Sequence, residues 1–410
     1  MENLEITDVV FANIYKGKRV LLTGHTGFKG SWLAEWLLAL GADVSGYALP
    51  PSTQPALFEQ LGLARRLRHG VGDVRDLGAV RKVVEDTRPD FVFHLAAQPL
   101  VRLSYSDPVG TYATNVMGTV NVLEAVRLAR RPCVVVAVTT DKCYENKEWV
   151  HSYREEDPIG GYDPYSSSKG AAELVIAAYR RSYFSGPDSK VRLASARAGN
   201  VIGGGDWAAD RIVPDCIRSL QAGAPIPVRN KIATRPWQHV LEPLSGYLWL
   251  GACLVDPRLS AFDSQLAAPF NFGPARGSNR TVAELVQEIL KHWPGRWEDR
   301  SDPRAVHEAT LLNLATDKAH HFLSWSPVWP FGETISHTVG WYRAAARAAP
   351  ASDDLLVESL SDLKPRKLPT LQPFTPSTGL GGPIDIHALT TGQISAYSAA
   401  ARSAGISWAG

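Results

Sequence analysis

The stretch Arg19-Val-Leu-Leu-Thr-Gly-His-Thr-Gly-Phe-Lys-Gly30 joins a short apolar run to glycines at positions 24, 27 and 30. The apolar run predicts a buried strand, and Ser31 to Leu40 predicts a helix that Gly41 ends. Between a strand and a helix, glycines at this spacing permit a tight turn, close approach of a pyrophosphate, and close helix–strand packing. The start of the helix also offers unpaired N–H groups to phosphates. We therefore predict a dinucleotide-binding turn, with a chance glycine-rich turn as the alternative; the candidate cofactor contacts are Gly24, His25, Thr26, Gly27, Phe28 and Gly30.

Short apolar runs and segments of helical periodicity alternate through the next part of the chain. The further strands are predicted at Asp43–Ala48, Phe91–Leu95, Val134–Thr139 and Arg192–Ala196, with helices near Leu77–Glu85 and Met117–Leu128. This alternation favours a parallel sheet covered by helices on both faces. The predicted fold class is α/β, a Rossmann-type doubly wound parallel sheet.

The pattern changes after about residue 200, where Gly203-Gly204-Gly205 interrupts any regular element and prolines and tryptophans become frequent. We expect a dinucleotide-binding domain over 15–200, which also receives part of 236–262. A smaller, irregular C-terminal domain over 201–349 is expected to bind the substrate. Residues 350–410 are predicted to be a Pro/Ser/Thr-rich linker and tail.

Composition excludes several classes of protein. The chain has 410 residues and a formal net charge of +2, which gives no electrostatic reason to expect nucleic acid or a membrane as partner. Its four cysteines, Cys133, Cys143, Cys216 and Cys253, match no common zinc spacing, so we expect no metal site and reduced, mostly buried thiols. Met1–Glu5 is acidic without an apolar core, which predicts no signal peptide and a cytoplasmic location.

The residues expected to bind the adenosine half of the cofactor are less regular. An acid that binds the ribose hydroxyls of NAD is expected about twenty residues beyond the glycine turn, but Tyr47-Ala48-Leu49-Pro50 lies there instead. No arginine replaces it, so this position does not decide between NAD and NADP. Asp73, in Gly72-Asp73-Val74, could contact adenine or simply cap a turn.

Tyr165-Ser-Ser-Ser-Lys169 places two side chains one helical turn apart on the same face. A tyrosine acts as a base only when it loses its proton, and its ordinary pKa is about 10. A nearby ammonium group lowers that pKa by favouring the phenolate. We therefore predict Tyr165 as the catalytic base and Lys169 as its partner, with Lys169 also binding the nicotinamide ribose.

The strand predicted from Val134 ends at Thr139-Thr140-Asp141-Lys142. Chemistry in open α/β sheets lies at the carboxyl ends of the strands. Thr140 can hold a reacting hydroxyl, and Asp141 with Lys142 can act as an acid/base pair. A solvated turn with two charged residues is the alternative for that pair.

Taken together, these residues resemble the extended short-chain dehydrogenase/reductase family over about residues 15–345. The resemblance covers the glycine turn, Tyr165, Lys169 and the Thr140 position. It further covers Gly72-Asp-Val74-Arg-Asp76, His94-Leu-Ala96-Ala97-Gln98 and Asn115-Val-Met-Gly-Thr119, which adds Asp73, Val74, Ala96 and Ala97 as cofactor contacts.

Five stretches resemble the branch of CDP-glucose 4,6-dehydratases within that family. They are Gly24–Trp32, Ala97–Tyr105, Thr140–Tyr144, Arg197–Trp207 and Arg235–Pro243.

The resemblance implies NAD as cofactor and CDP-glucose, a nucleotide sugar, as substrate. Tyr165 would take the C4 hydroxyl proton as C4 is oxidised, water would leave across C5 and C6, and the hydride would return to C6. Asp141 matches the acid for the C6 hydroxyl. Lys142 stands where related dTDP-sugar dehydratases have the glutamate base for C5, so either Lys142 or another residue takes that proton.

The resemblance also implies partners. Asn200 matches a substrate-contacting asparagine, and Arg102, Arg211, Arg235 and Arg276 are candidates for binding the substrate and its pyrophosphate. A homodimer or higher homo-oligomer, formed through helices packed side by side, is expected. The implied role is deoxysugar biosynthesis, including that of lipopolysaccharide O-antigen.

Two other functions fit parts of the pattern. A nucleotide-sugar 4-epimerase would share Tyr165 and Lys169 but would need no acid/base pair at C5 and C6, so Asp141 and Lys142 argue against it. A non-catalytic NAD(P)-binding regulator could dispense with the Tyr165–Lys169 pair altogether.

Overall fold

The computed structural model of the chain describes residues 9–186, 188–301, 311–348 and 385–410. Most of the predicted linker, from 350 to 384, lies outside the described residues. The described strands are β1 (Arg19–Thr23), β2 (Asp43–Ala48), β3 (Arg68–Val71), β4 (Phe91–His94), β5 (Cys133–Val138), β6 (Val191–Ala198), β7 (Val201–Ile202), β8 (Ile226–Val228), β9 (Thr234–Pro236), β10 (Gln238–His239), β11 (Pro269–Phe272), β12 (Asn279–Thr281) and β13 (Trp297–Asp299).

Helices alternate with these strands in the first half of the chain and predominate in the second. The described helices are α1 (Phe28–Ala39), α2 (Leu57–Gln60), α3 (Leu77–Thr87), α4 (Val101–Ser106), α5 (Pro108–Tyr112), α6 (Gly118–Ala129), α7 (Pro164–Tyr183), α8 (Ile212–Gln221), α9 (Leu241–Val255), α10 (Asp263–Leu266), α11 (Val282–His292), α12 (Asp317–Leu323), α13 (Phe331–Ala348) and α14 (Ile386–Ser403).

Seven strands form one parallel sheet in the order β11-β6-β5-β4-β1-β2-β3. Every residue of β5 is buried, as expected for a strand covered on both faces. One face packs on the α3, α6 and α7 side, with Val80, Val122 and Ile176 in its core, and the other face packs against α1 and α9. The predicted Rossmann-type doubly wound sheet is confirmed, and the predicted bounds of β1 and β2 match the structure.

The second half of the chain is irregular, as its composition indicates. It contributes three two-stranded sheets, in which β7 pairs with β10, β9 with β12 and β8 with β13. Two of its elements nevertheless return to the first domain: α9 packs into the core beneath β5, and β11 extends the main sheet beside β6. Residues 241–255 lie inside 236–262, the stretch part of which was expected to join the dinucleotide-binding domain. Strand β11 lies beyond that stretch.

The prediction of a tail is wrong for the last part of the chain, since residues 386–403 form α14. Tyr397 and Trp408 are fully buried in the main core, and the Trp408 ring stacks on Phe11 with centroids 4.9 Å apart. Ile394, Tyr397 and Ala401 recur at helical spacing and supply the buried face. The Pro-rich residues before α14 hide this short amphipathic pattern in the sequence.

Glu242 anchors α14 from inside the core. Its carboxylate accepts hydrogen bonds from the Tyr397 hydroxyl at 2.7 Å and from the backbone N–H groups of Val328 and Trp329. Burial raises the pKa of Glu242 to about 7, although these hydrogen bonds oppose the change. The carboxyl is therefore half protonated near neutral pH in the folded protein.

Stability is expected to fall as pH rises through this range, because the folded pKa of Glu242 lies above its unfolded value. The contribution is fully present below pH about 4.5 and is lost as pH passes 7, a change of roughly 3 kcal/mol. Denaturant unfolding from pH 5 to pH 8 measures it, and Glu242→Gln should remove most of this slope. An equal slope in wild type and Glu242→Gln would contradict the assignment.

Two expectations from composition can be compared with the structure. Within the described ranges, no helix combines the length and apolarity needed to cross a membrane. All four cysteines are free and buried, as predicted.

Candidate active site

The glycine turn lies at the carboxyl end of β1, where the backbone closes against the end of β4. Gly24 has a φ of +77°, and a Cβ there would lie 2.7 Å from the Ala96 nitrogen. A Cβ on Gly30 would lie 2.1 Å from the Gly24 oxygen. Only glycine fits at these two positions, since the first has left-handed backbone and both are blocked by main chain.

Gly27 differs, because a Cβ there would meet nothing nearer than the Gly24 oxygen at 3.5 Å. A Cβ at Gly27 would thus make only an ordinary van der Waals contact, and the protein leaves this glycine uncrowded where its backbone is expected to face the pyrophosphate, before the first N–H groups of α1. This cradle fits a dinucleotide. Of the other predicted contacts, Ala96 donates its N–H to the Thr23 hydroxyl at 3.3 Å, and Val74 is buried beside Gly118.

Three side chains predicted to contact the cofactor, His25, Thr26 and Asp73, make contacts within the protein. His25 Nε2 lies 2.7 Å from His69 Nδ1, and the Thr26 hydroxyl donates to the Leu49 carbonyl at 2.9 Å. The Asp73 carboxylate accepts from the Arg75 backbone N–H at 2.9 Å and pairs with its guanidinium. Asp73 therefore caps a turn, which is one of the two alternatives given for it in the sequence analysis. Its contact with adenine stays a prediction.

Helix α7 places Tyr165 and Lys169 at the same edge of the sheet. Asp163 caps the helix by accepting from the Ser166 N–H at 2.9 Å, and Pro164 occupies the first turn, where no N–H is needed. Tyr165 and Lys169 are both buried, and Lys169 Nζ donates to the Val138 carbonyl at the end of β5 at 3.3 Å. The predicted pair is thus fixed against the strand that carries Thr140.

The charge balance at Tyr165 differs from the sequence-based expectation. Burial raises its pKa to about 12, while the nearby Thr140 side chain and the charge of Arg211 lower it. The expected net lowering by Lys169 is therefore wrong for the protein alone. Burial also lowers the pKa of Lys169 to about 8, against the opposing field of Glu173.

Thr140 begins a short turn, Asp141–Cys143, directly after β5. The Thr140 hydroxyl donates to Asp141 Oδ1 at 2.9 Å. Asp141 is only 2% exposed, and its other oxygen, Oδ2, has no hydrogen-bond partner in the part of the chain that the structure describes. Burial raises the pKa of Asp141, although Lys142, Thr140 and Arg235 oppose the change. A buried carboxyl with a raised pKa and one unused oxygen suits a general acid.

The predicted arginines divide into two groups. Arg211 pairs with Asp206 at 2.8 Å and acts electrostatically on Tyr165, and buried Arg235 acts on Asp141, so both belong to the catalytic cluster. Arg102 instead pairs with Asp210 at 3.4 Å near the surface. Arg276 is exposed on the turn Arg276–Ser278.

Asn200 and Lys142 are the two remaining residues predicted for the site. Asn200 accepts the Gln238 N–H through its backbone oxygen at 3.1 Å, just before β7. Lys142 is half-buried beside Asp141, whose pKa it helps to lower. The structure gives no contact that assigns either side chain a role.

Lys29 is a site residue that the sequence reasoning missed. It lies inside the glycine turn, and its Nζ is 3.2 Å from the Tyr247 hydroxyl. Burial, with the charges of Lys169 and Arg211, lowers the pKa of Lys29 to about 7, and Asp141 acts in the opposite sense. The one signal in the sequence that could have predicted this role is the position of Lys29 within the glycine turn, where its charge would face the site.

These groups can perform proton transfers on a hydroxylated substrate. The Tyr165 and Thr140 hydroxyls lie near each other and can receive a substrate hydroxyl, while Asp141 can donate a proton. Lys29 can hold an uncharged amine near neutral pH. The dinucleotide cradle adjoins this cluster, since Lys29 belongs to both.

Comparisons with known proteins agree on one family. A family model described as GDP-mannose 4,6 dehydratase matches residues 21–250. The CDP-glucose 4,6-dehydratase of Salmonella typhimurium is 46% identical over 358 residues, covering 86% of this chain and 96% of that protein. The dTDP-glucose 4,6-dehydratase of Mycolicibacterium smegmatis is 29% identical over 334 residues, covering 80% and 93%.

One solved structure adds a bound cofactor. The dTDP-glucose 4,6-dehydratase of Streptomyces venezuelae, with NAD and TYD bound, superimposes with a TM-score of 0.67 at 25% identity. The match covers 79% of this chain and 97% of that one.

Proposed function

We propose that the chain, which belongs to the GDP-mannose 4,6-dehydratase family, converts CDP-glucose to CDP-4-dehydro-6-deoxyglucose and water. The chain is a hydro-lyase that uses NAD. Identity to the Salmonella typhimurium enzyme over nearly the whole of that protein supports CDP-glucose as the substrate. The NAD bound by the related structure, together with the open cradle at Gly27, supports the cofactor.

One observation of the structure carries the dehydratase function: a buried Asp141 carboxyl with an unused oxygen accepts from the Thr140 hydroxyl and acts electrostatically on Tyr165. A 4-epimerase needs only the base at the C4 hydroxyl. A dehydratase also needs an acid for the departing C6 hydroxyl, and burial, which raises the pKa of Asp141, supports that role for its carboxyl. A regulator would need neither group.

The chain's residues account for the proton movements. Tyr165 takes the proton of the C4 hydroxyl while Thr140 holds that hydroxyl in place. The C4 ketone acidifies the C5 hydrogen, a base removes that proton, and Asp141 protonates the C6 hydroxyl so that it leaves as water. Return of a proton to C5 completes the change, with no net oxidation. NAD, when bound in the cradle, accepts the C4 hydride and delivers it to C6.

Arg211 supplies part of the positive charge that these proton transfers need. The pKa of Tyr165, about 12 in the protein alone, must fall for the phenolate to form. Arg211 already acts in that direction, and a bound cofactor with a cationic ring would add to it.

We propose Lys29, rather than Lys142, as the group that takes the C5 proton. A base must be uncharged before it reacts, and the pKa of Lys29, about 7, leaves much of its amine neutral at physiological pH. The charges of Lys169, Arg211 and Asp141 act on Lys29, which places it within the catalytic cluster.

Lys29→Met is expected to lower the rate of C5 hydrogen exchange with solvent by about 100-fold, with C4 oxidation less affected. Lys142→Met is the matched control and should retain most of that exchange. NMR of the sugar in deuterated water measures exchange, and NAD titration of each variant shows whether cofactor binding has changed instead. Loss of exchange in Lys142→Met alone would assign the base to Lys142.

The product identifies the reaction. Wild-type protein with CDP-glucose and NAD should give a 4-keto-6-deoxy sugar, which absorbs after alkaline treatment. Formation of CDP-galactose without that sugar would instead support a 4-epimerase. The same assay with dTDP-, GDP- and UDP-glucose tests the base specificity.

We further propose a dimer formed through α4, α5 and α7. Leu103, Val109 and Leu174 are apolar side chains exposed on these neighbouring helices, with Val109 78% and Leu174 62% exposed. A cluster of exposed apolar residues of this kind supports an interface between two copies of the chain.

Val109→Glu with Leu174→Glu should shift the sedimenting species from dimer to monomer, because charges would be buried at the interface. Ile232→Glu, an exposed position in the second domain, is the control and should leave the mass unchanged. A wild-type chain that sediments as a monomer at assay concentrations would contradict the proposal.

Four free thiols among the described residues support a reducing compartment, and we propose the cytoplasm. The 4-keto-6-deoxy product suits deoxysugar biosynthesis, including that of lipopolysaccharide O-antigen. Loss of the chain from its cell should then remove deoxysugars from the surface polysaccharide.

A further inference from the structure

A buried ion pair lies behind the catalytic cluster. Glu173 is one helical turn beyond Lys169 in α7, and its carboxylate lies 2.9 Å from a guanidinium nitrogen of Arg197 in β6. Both side chains are only 3% exposed. Because removing two charges from water is costly, such a pair is retained only where its remaining hydrogen-bonding groups are satisfied.

The Glu173 end of the pair holds the strand that leads into the catalytic turn. Its carboxylate accepts from the Thr139 hydroxyl and from the Ser195 hydroxyl, the latter at 2.8 Å. Thr139 directly precedes Thr140. A displacement of Thr139 would therefore move Thr140, whose hydroxyl donates to Asp141.

The Arg197 end holds the other side of the same turn. One guanidinium nitrogen donates to the Tyr144 hydroxyl at 2.8 Å and to the Glu155 carbonyl at 3.0 Å. Tyr144 follows the turn Asp141–Cys143 and donates in its own right to Asn271 Oδ1 at 2.8 Å, in β11. Thr139 and Tyr144 thus bracket Thr140, Asp141 and Lys142.

We propose that the Glu173–Arg197 pair is a positioning device, which fixes both ends of the Thr139–Tyr144 segment and sets a constant negative charge behind Lys169. Neither residue touches the reacting atoms. They act through Thr140, Asp141 and Lys169, so this inference rests on the proposed dehydratase function.

The charge of Glu173 keeps Lys169 protonated against its burial. Four groups interact electrostatically with Lys169: Glu173 on its own helix, Cys143 in the catalytic turn, Lys29 at the start of α1 and His94 at the end of β4. Burial lowers the pKa of Lys169 to about 8, and Glu173 is the principal group that raises it. Despite burial, Arg197 and the hydrogen bonds that the Glu173 carboxylate accepts hold the pKa of Glu173 below its usual value, so that negative charge is present across the working pH range.

Glu173→Gln tests both parts of the proposal. The kcat with CDP-glucose should fall about 10- to 100-fold, because small displacements of catalytic groups cost rates of this size. The alkaline limb of the kcat profile should also move down by about one pH unit, since Lys169 loses its proton earlier without Glu173. Glu173→Asp restores the charge and should return the limb toward its wild-type position.

Thr139→Val and Tyr144→Phe remove the tethers without changing any charge. Each should lower kcat by about 10-fold and leave the alkaline limb in place. Glu35→Gln is the matched control, because Glu35 is also a buried carboxylate paired to an arginine, Arg66, but contacts none of the catalytic turn. The Glu35→Gln variant should lose thermal stability but keep the wild-type kcat and the wild-type position of the alkaline limb.

Three results would decide against the device. If Glu173→Gln folds and matches Glu35→Gln both in kcat and in the position of the alkaline limb, the Glu173–Arg197 pair is only structural. If Glu173→Gln does not fold, wild-type kcat in both Thr139→Val and Tyr144→Phe would overturn the proposal. Wild-type protein in the same assay separates the two claims: no product from wild type refutes the dehydratase function, whereas normal wild-type turnover with unaltered variants refutes the positioning device alone.

Discussion

Asp141→Asn is expected to slow loss of water by about 100- to 10,000-fold while C4 oxidation continues, the range typical of removing a general acid. The substitution keeps the size of the side chain and takes away its acidic proton. The amide oxygen of the new side chain can still accept from the Thr140 hydroxyl, as Asp141 does at 2.9 Å, so Thr140 should keep its position in the site. The variant should therefore accumulate the C4 ketone of CDP-glucose, which still carries its C6 hydroxyl.

The two steps can be measured separately. Rapid quenching with a reductant traps the C4 ketone and reports oxidation, and release of the 4-keto-6-deoxy sugar reports elimination. In wild type, elimination should also decline at alkaline pH, because Asp141 acts in its protonated form and burial only raises the pH at which that form is lost. Equal loss of both steps in Asp141→Asn would show that Asp141 is structural or acts in oxidation.

Tyr165→Phe is expected to abolish both steps, with kcat lowered by about 1,000-fold or more. Without the hydroxyl, no group beside Thr140 can take the C4 hydroxyl proton, and the ketone that acidifies C5 never forms. The Tyr165 position is buried, so phenylalanine should pack without loss of fold. No trapped ketone should appear on the time scale of wild-type turnover.

Tyr179→Phe is the control for this substitution. Tyr179 lies on the same helix and bonds Glu124 at 3.2 Å, on the face away from the catalytic turn. Its kcat should stay within a factor of about two of wild type. A Tyr165→Phe variant that still forms the trapped ketone would require another base at C4.

Local sequence signals predict the first half of the fold well. The bounds of β1 and β2 and the start of α7 follow from apolar runs and from glycine and proline positions. Tyr165, Lys169, Thr140 and Asp141 could be predicted as one site because parallel strands end at the same edge of a sheet. The positions of these four residues along the chain therefore predict that they lie close together in the fold.

Other features depend on contacts between distant parts of the chain. The strand β11 pairs with β6 although residues 199–268 lie between the two strands, and its four-residue run, Pro269–Phe272, carries little signal by itself. The buried face of helix α14 packs against Trp36 through Tyr397, a contact between distant parts of the chain.

The electrostatics of the site show the same limit. Sequence reasoning gives Lys169 the role of lowering the pKa of Tyr165, but burial dominates and Arg211 supplies the opposing charge. Arg211 lies 46 positions beyond Tyr165, at the start of α8. Lys29 and the Glu173–Arg197 pair were missed because burial and pairing, not residue type, give them their properties.

Transfer of deuterium from C4 to C6 tests the central claim most directly. CDP-glucose carrying deuterium at C4 is converted by the wild-type protein, and the position of the label in the product is read by NMR. Oxidation at C4 followed by return of the same hydride predicts deuterium at C6 of a 4-keto-6-deoxy sugar. Deuterium kept at C4, or a product that retains its C6 hydroxyl, would contradict the dehydratase function.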